Sequence, residues 1–269
     1  MARNNLPGFR LSLGLTMVWL GVLVLLPLAA LVLKAASASP AQLWAVASNP
    51  RVLASLRLSL LASLAAAAVN LAAGTLLAWV LVRYRPWGSG LLDALVDLPF
   101  ALPTAVAGIA LTKLYMADGF LGRWLPFKVA FTPVGVFVAL VFIGLPFVVR
   151  TVQPVLLELP PEEEEAAACL GASRIRTLAR VVLPHLRPAL FTGFALALAR
   201  GMGEYGSVIF ISANLPYRTE IPPLLIVSRL EQYDYLGATV IACILLAISF
   251  ALLFALQLAQ RSGRAVRLG

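Results

Sequence analysis

Arg200 and Glu204 stand four residues apart inside the apolar run Pro188–Ser212, and Ser207 follows within the next turn. At that spacing a guanidinium and a carboxylate share one helix face and can neutralise each other. Alone in the centre of a bilayer, either charge would cost ~2.5–3.5 kcal/mol on insertion scales. Two roles fit such a pair. It is a polar step on a path or gate across a membrane, or a structural ion pair that locks helices together. Arg200 and the hydroxyl of Ser207 suit an anion, whereas Glu204 opposes one, so charge alone does not identify what would pass.

Other chemistry-bearing residues are scattered. Asn70 is a hydrogen-bonding side chain in an apolar run, where helix–helix packing is its expected role. Asp93 and Asp97 are i, i+4 neighbours that either pair with Arg83 or Arg85 or form a solvated face. His185 is the only histidine, and Cys169 and Cys243 form no CxxC or other metal spacing. Neither a metal nor a cofactor is expected. The chain contains no G-x-x-x-x-G-K-[ST] loop, no H-E-x-x-H and no G-x-S-x-G elbow. It should therefore neither bind ATP at a Walker site nor hydrolyse a substrate through those motifs.

The elements that must position these residues are membrane spans. The 269 residues are 61% hydrophobic and 12% charged, with mean hydropathy +0.93. That is about half the charge of an ordinary soluble domain. Six apolar stretches can cross ~30 Å of hydrocarbon: Leu11–Leu33, Leu58–Val82, Leu98–Met116, Pro133–Val152, Pro188–Ser212 and Leu236–Ala259. Pro99 and Pro103 interrupt the third. The first resembles a signal peptide in its flanks but is longer than the ~7–15 residues of an h-region, so an uncleaved span is expected. With both termini in the cytoplasm, the inner segments hold Arg3, Arg10, Arg83, Arg85, Arg150, Arg174, Arg176, Arg180, Arg187, Arg261, Arg264 and Arg267, more than the outer segments hold, as the positive-inside rule requires. The net charge of +9 thus reads as topology. The arginines form no aromatic-interleaved stripe, and no nucleic-acid partner is expected.

One stretch between spans is polar. Pro160 and Pro161 suit a helix start, and Glu162–Glu165 occupy its first turn, where they complement the dipole. Ala166, Ala167 and Ala168 favour helix, and Gly171 suits a left-handed end. Ser173 can cap a second helix bearing Arg174, Arg176 and Arg180, before Pro184 and Pro188 return the chain to lipid. The result is an acidic helix, a sharp turn and a re-entering helix, with small alanines that admit close approach by another protein.

Glu165-Ala166-Ala167, three residues, Gly171, nine residues, then Val181-Val182-Leu183-Pro184 resembles the E-A-A…G…I-x-L-P signature of ABC importer permeases, departing only at Val181. The stretches LPFALPTAVAG (98–108), GLPFVVRTVQP (144–154), GEYGSVIFI (203–211), Thr219-Glu220-Ile221 and LEQYDY (230–235) are similar to the CysT-type sulfate/thiosulfate permeases. The resemblance covers roughly Asp97 to Gln257 and hardly touches the first span.

It implies an all-α, six-span fold of the type I importer (MetI-like) kind in a bacterial inner membrane. It further implies a permease, not itself an enzyme, that forms a path for sulfate or thiosulfate. ABC ATPase subunits would dock on the loop through Glu165, Ala166, Ala167, Gly171, Leu183 and Pro184. A second related permease subunit and an external sulfate/thiosulfate-binding protein would complete the assembly; in such a subunit Arg200, Glu204 and Ser207 either line the path or gate or, for the ion pair, lock helices together. The expected division is 1–56 for the first span with an outer loop, 57–260 for the core with its loop at 155–188, and 261–269 for a basic tail. Molybdate/tungstate permeases share the loop and are the alternative. An autonomous secondary transporter or an intramembrane enzyme would work without an ATPase.

Overall fold

The computed structural model describes residues 9–265, with only the backbone at Arg10, Ala259 and residues 261–265. Arg3 and Arg267, and the side chains of Arg10, Arg261 and Arg264, lie outside the described residues. Every regular element among the described residues is helical.

The chain begins with α1 (Phe9–Leu20), a π-helical stretch Gly21–Leu25 and α2 (Leu26–Ala36). Pro27 cannot donate and displaces the carbonyl four residues back, which accounts for the widened turn. This first span is strongly apolar, and the side chains described in α1 are exposed. The short α3 (Pro40–Ala47) carries a reciprocal capping box between Ser39 and Gln42. It leads into α4 (Pro50–Trp79), which starts ahead of the expected Leu58 and ends in a second π stretch, Val80–Tyr84.

α4, α7 (Pro133–Glu158) and α10 (Leu183–Met202) pack together as the centre of the bundle. Lipid tails are as apolar as leucine, so helices associate here through close packing. α4 supplies the small side chains Ala62, Ser63, Ala66, Ala67, Gly74 and Ala78, all buried. Val148, Val152 and Leu156 of α7 and Leu186, Leu198 and Met202 of α10 fill the space they leave.

The third span differs from expectation. Instead of one crossing over Leu98–Met116, the chain forms α5 (Ser89–Ala101) and α6 (Thr104–Tyr115), bent by 113° between them. Leu102 precedes Pro103 and is held extended at φ −84°, ψ 137°, because the proline ring excludes the helical conformation of its predecessor.

The acidic segment forms α8 (Pro161–Cys169) and the one-turn α9 (Arg174–Thr177). A π stretch Leu178–Val182 ahead of Pro184 joins α9 to α10, so one continuous rod runs from Arg174 to Met202. The fifth span stops there rather than continuing to Ser212. Gly203–Tyr205 break the helix, and α11 (Gly206–Ser212) packs on α6. α12 (Pro222–Glu231) lies against α13 (Tyr235–Ala265), which forms the last span.

Candidate functional site

The first candidate is the α8–α9 hairpin. Gly171 adopts φ +79° at its turn, a conformation that side-chain-bearing residues avoid, and the Ser173 hydroxyl accepts from the Arg176 N–H. Both match the sequence expectation. Glu165, Ala166 and Gly171 are exposed, and Ala167 is half-buried. Leu183 is exposed where α10 begins, and Pro184 is half-buried beside it. At the turn, Leu170 and Ile175 are 89% and 80% exposed. Two bulky apolar side chains thus stand exposed beside a row of carboxylates, which the alanine pattern alone does not reveal.

Two contacts tie this hairpin to the bundle. Arg83, at the end of the α4 rod, places Nη2 2.7 Å from the Glu164 carboxylate and donates from the same nitrogen to the Leu159 carbonyl at 3.1 Å. One guanidinium thus joins α4, the end of α7 and α8. Glu163 approaches His185 of α10 at 3.8 Å.

Asp93 and Asp97 do not pair with Arg83 or Arg85. Both bind Arg150 of α7, Asp97 through two hydrogen bonds of 2.8 and 2.6 Å and Asp93 at 2.8 Å. Gln153 bridges Arg150 and Asp93. The near-sequence arginines lose because Arg83 is turned toward α8 and Arg85 caps the α4 rod in a left-handed conformation.

The second candidate lies at the α10–α11 break. Arg200 and Glu204 are in contact, as expected, although Glu204 lies beyond the helix end and not on a shared helical face. The Glu204 carboxylate is 1% exposed and accepts from the backbone N–H and hydroxyl of Ser207, both at 2.9 Å. Arg200 is one-third exposed. A half-open cation, a buried anion and a hydroxyl therefore converge where the helix is interrupted. α6 closes over this point. A Cβ at Gly108 would lie 2.5 Å from the Ser207 carbonyl oxygen, so only glycine permits the approach.

Asn70 is fully buried between α4 and α7 beside Gly144. Neither of its amide atoms has a hydrogen-bond partner among the described residues, so the expected interhelical donation is not seen there. At the opposite end of the bundle from the hairpin, Arg51 at the start of α4 grips the buried Glu220 with two hydrogen bonds of 2.7 and 2.6 Å. Thr219 beside it donates to the Ser212 carbonyl and accepts from the Leu215 N–H. Arg51 and Glu220 are 169 residues apart in sequence, and no local pattern signals their pairing. Among the described residues no group of three or more His, Cys, Asp or Glu side chains could hold a metal ion.

Residues 70–264 match the family described as binding-protein-dependent transport system inner membrane component. The chain is 50% identical to the sulfate transport system permease protein CysT of Escherichia coli, over 98% of this chain and 97% of that protein. It is 49% identical to the protein of the same name from Synechocystis, over 93% and 88%. A bacterial ABC transporter that imports the acidic polysaccharide alginate superposes with a TM-score of 0.75, 15% identity and coverage of 95% and 96%. An amino acid ABC transporter superposes at 0.55, with 16% identity and coverage of 79% and 94%. These two structures bear on the fold alone.

Proposed function

The chain belongs to the binding-protein-dependent inner membrane components and, among them, to the CysT-type sulfate permeases; from that premise we propose that it forms half of a sulfate and thiosulfate path driven by a separate ATPase docked on the α8–α9 hairpin. As a member of that family it is a multi-pass membrane subunit of an ABC importer. The observation that carries the finer reading is the exposed tip, Glu165 to Ile175, anchored to α4 through Arg83 and continuous with the α10 rod.

In this mechanism two ATPase subunits close on nucleotide and press on two hairpins, one from each of two related permeases. The push reaches α4 through Arg83 and enters α10 along its own axis. A displacement at the hairpin then shifts the α10–α11 break, where Arg200, Glu204 and Ser207 stand. A switch of this kind requires the docked subunit to bind the two states with different affinity. Arg200 presents positive potential to a dianion, while Glu204 and Ser207 fix its orientation and keep the site from holding the ion tightly. An external binding protein delivers the oxyanion, and both termini of the chain face the cytoplasm with the hairpin. The 57–260 region supplies path and docking loop, and 1–56 supplies the first span.

Proteoliposomes that contain the assembled importer test this reading. ATP-driven uptake of labelled sulfate and thiosulfate should exceed uptake of molybdate and tungstate. Charge reversal in Glu165→Arg, or a branched side chain at the positive-φ turn in Gly171→Val, should abolish uptake or assembly while the chain still inserts. Full uptake by both variants would remove the docking role. Uptake by the chain without any ATPase would favour an autonomous transporter.

A further inference from the structure

A groove of about 410 Å³ opens on the outside of the bundle between α4, α10 and α13. Its walls are Leu71, Leu190, Phe191, Phe194 and Leu256, and it ends at Leu183 and Arg187 near the hairpin. From Leu183 to Phe194 it spans about 16 Å of helix, at 1.5 Å per residue. That is half of the ~30 Å hydrocarbon thickness, the depth of one leaflet. Among the described residues Arg187 is the one charged residue in the lining, and it is exposed and has no ion pair with any of them. Of the charged groups near this end of α10, Glu163 lies toward His185 and Glu164 toward Arg83. At the same rim Gln260 of α13 donates to the Pro188 carbonyl at 3.1 Å and holds the groove's two sides together.

We propose that this groove binds one anionic glycerophospholipid of the leaflet on the hairpin side, its phosphate on Arg187 and an acyl chain along Leu190, Phe191 and Phe194. The argument is complementarity. An apolar slot one leaflet deep suits a hydrocarbon tail, and a cation at its headgroup end suits a net negative headgroup over a zwitterionic one. A basic residue whose purpose was only topology would not need a slot beneath it. The same rod that bears the groove begins at the hairpin, so the bound lipid would brace the base of that rod.

The full-length chain, purified in detergent and offered equal amounts of phosphatidylglycerol and phosphatidylethanolamine, should retain phosphatidylglycerol preferentially by native mass spectrometry. Arg187→Gln should lower that preference about fivefold, as expected for one interfacial cation, and Arg187→Lys should keep it. Leu190→Trp, which fills the slot and leaves the cation, should lower retention of both lipids. Equal retention of the two lipids by the unmodified chain, or an unchanged preference in Arg187→Gln, would overturn the proposal. Displacement of the adduct by millimolar inorganic phosphate would point to a free-anion site and also overturn it. Loss of the lipid on assembly with a second permease would give the groove to a protein neighbour, with the same consequence.

Discussion

Two sets of glutamates, one at each end of the bundle, are treated in opposite ways. Glu204 and Glu220 are buried, each is paired with an arginine, and Glu204 also accepts from Ser207. Glu162, Glu163 and Glu165 on α8 are exposed, Glu163 at 3.8 Å from His185, and Glu164 is drawn back against Arg83. A carboxylate taken out of water is costly unless it is paired, so the buried acids fix geometry. A carboxylate left in water costs nothing to keep and is available to a partner. The contrast assigns rigidity to the break and the far loop and adhesiveness to the hairpin.

Three arginine substitutions, each combined with one at its carboxylate partner, sharpen this contrast. The largest effect should come from Arg51→Met, which leaves the Glu220 carboxylate buried without its cation. The expected loss is ~3 kcal/mol of stability, read as a lower melting temperature of the purified chain, and Arg51→Met with Glu220→Gln should recover most of it. No loss in the single variant would mean that water reaches Glu220. Arg200→Ala should cost less, ~2 kcal/mol, because Arg200 is itself partly solvated and Ser207 still donates to Glu204. It should insert and yet transport poorly. Adding Glu204→Gln should restore the melting temperature without restoring uptake. Recovery of uptake as well would reduce the pair to scaffolding. The smallest effect is expected at the hairpin anchor. A double-mutant cycle between Arg83→Ala and Glu164→Gln should give a stability coupling of ~0.5–1 kcal/mol, while ATP-driven uptake falls more than that coupling suggests. A coupling near zero would show that the hairpin is not held by this contact.

The hairpin was legible because its signals are local. Proline at the start, glutamates in the first turn, Gly171 at the left-handed end and the Ser173 cap each act within a few residues. The spans were legible from apolar length, and the bend in the third was foreshadowed by Pro99 and Pro103. The break after Met202 was not, since Gly203–Tyr205 are only three residues between apolar stretches and the interruption depends on Glu204 accepting from the Ser207 N–H. Nor was Arg150 as the partner of Asp93 and Asp97. The competing arginines lie closer in sequence, and the choice is made by helix packing between α5 and α7. Asn70 shows the same limit, because its spacing cannot say whether a partner faces it.

Cys169 provides the most direct test of the central claim that the hairpin receives force from a docked ATPase. It closes α8, is exposed, and is one of only two cysteines. With Cys243 replaced by alanine, a thiol-linked photo-crosslinker on Cys169 in the assembled importer should capture the ATPase subunit, with a yield that changes when ATP is bound. A thiol reagent unable to cross the membrane should label Cys169 only from the cytoplasmic side. Labelling from the outer side, or turnover with no ATPase captured at this position, would contradict the account.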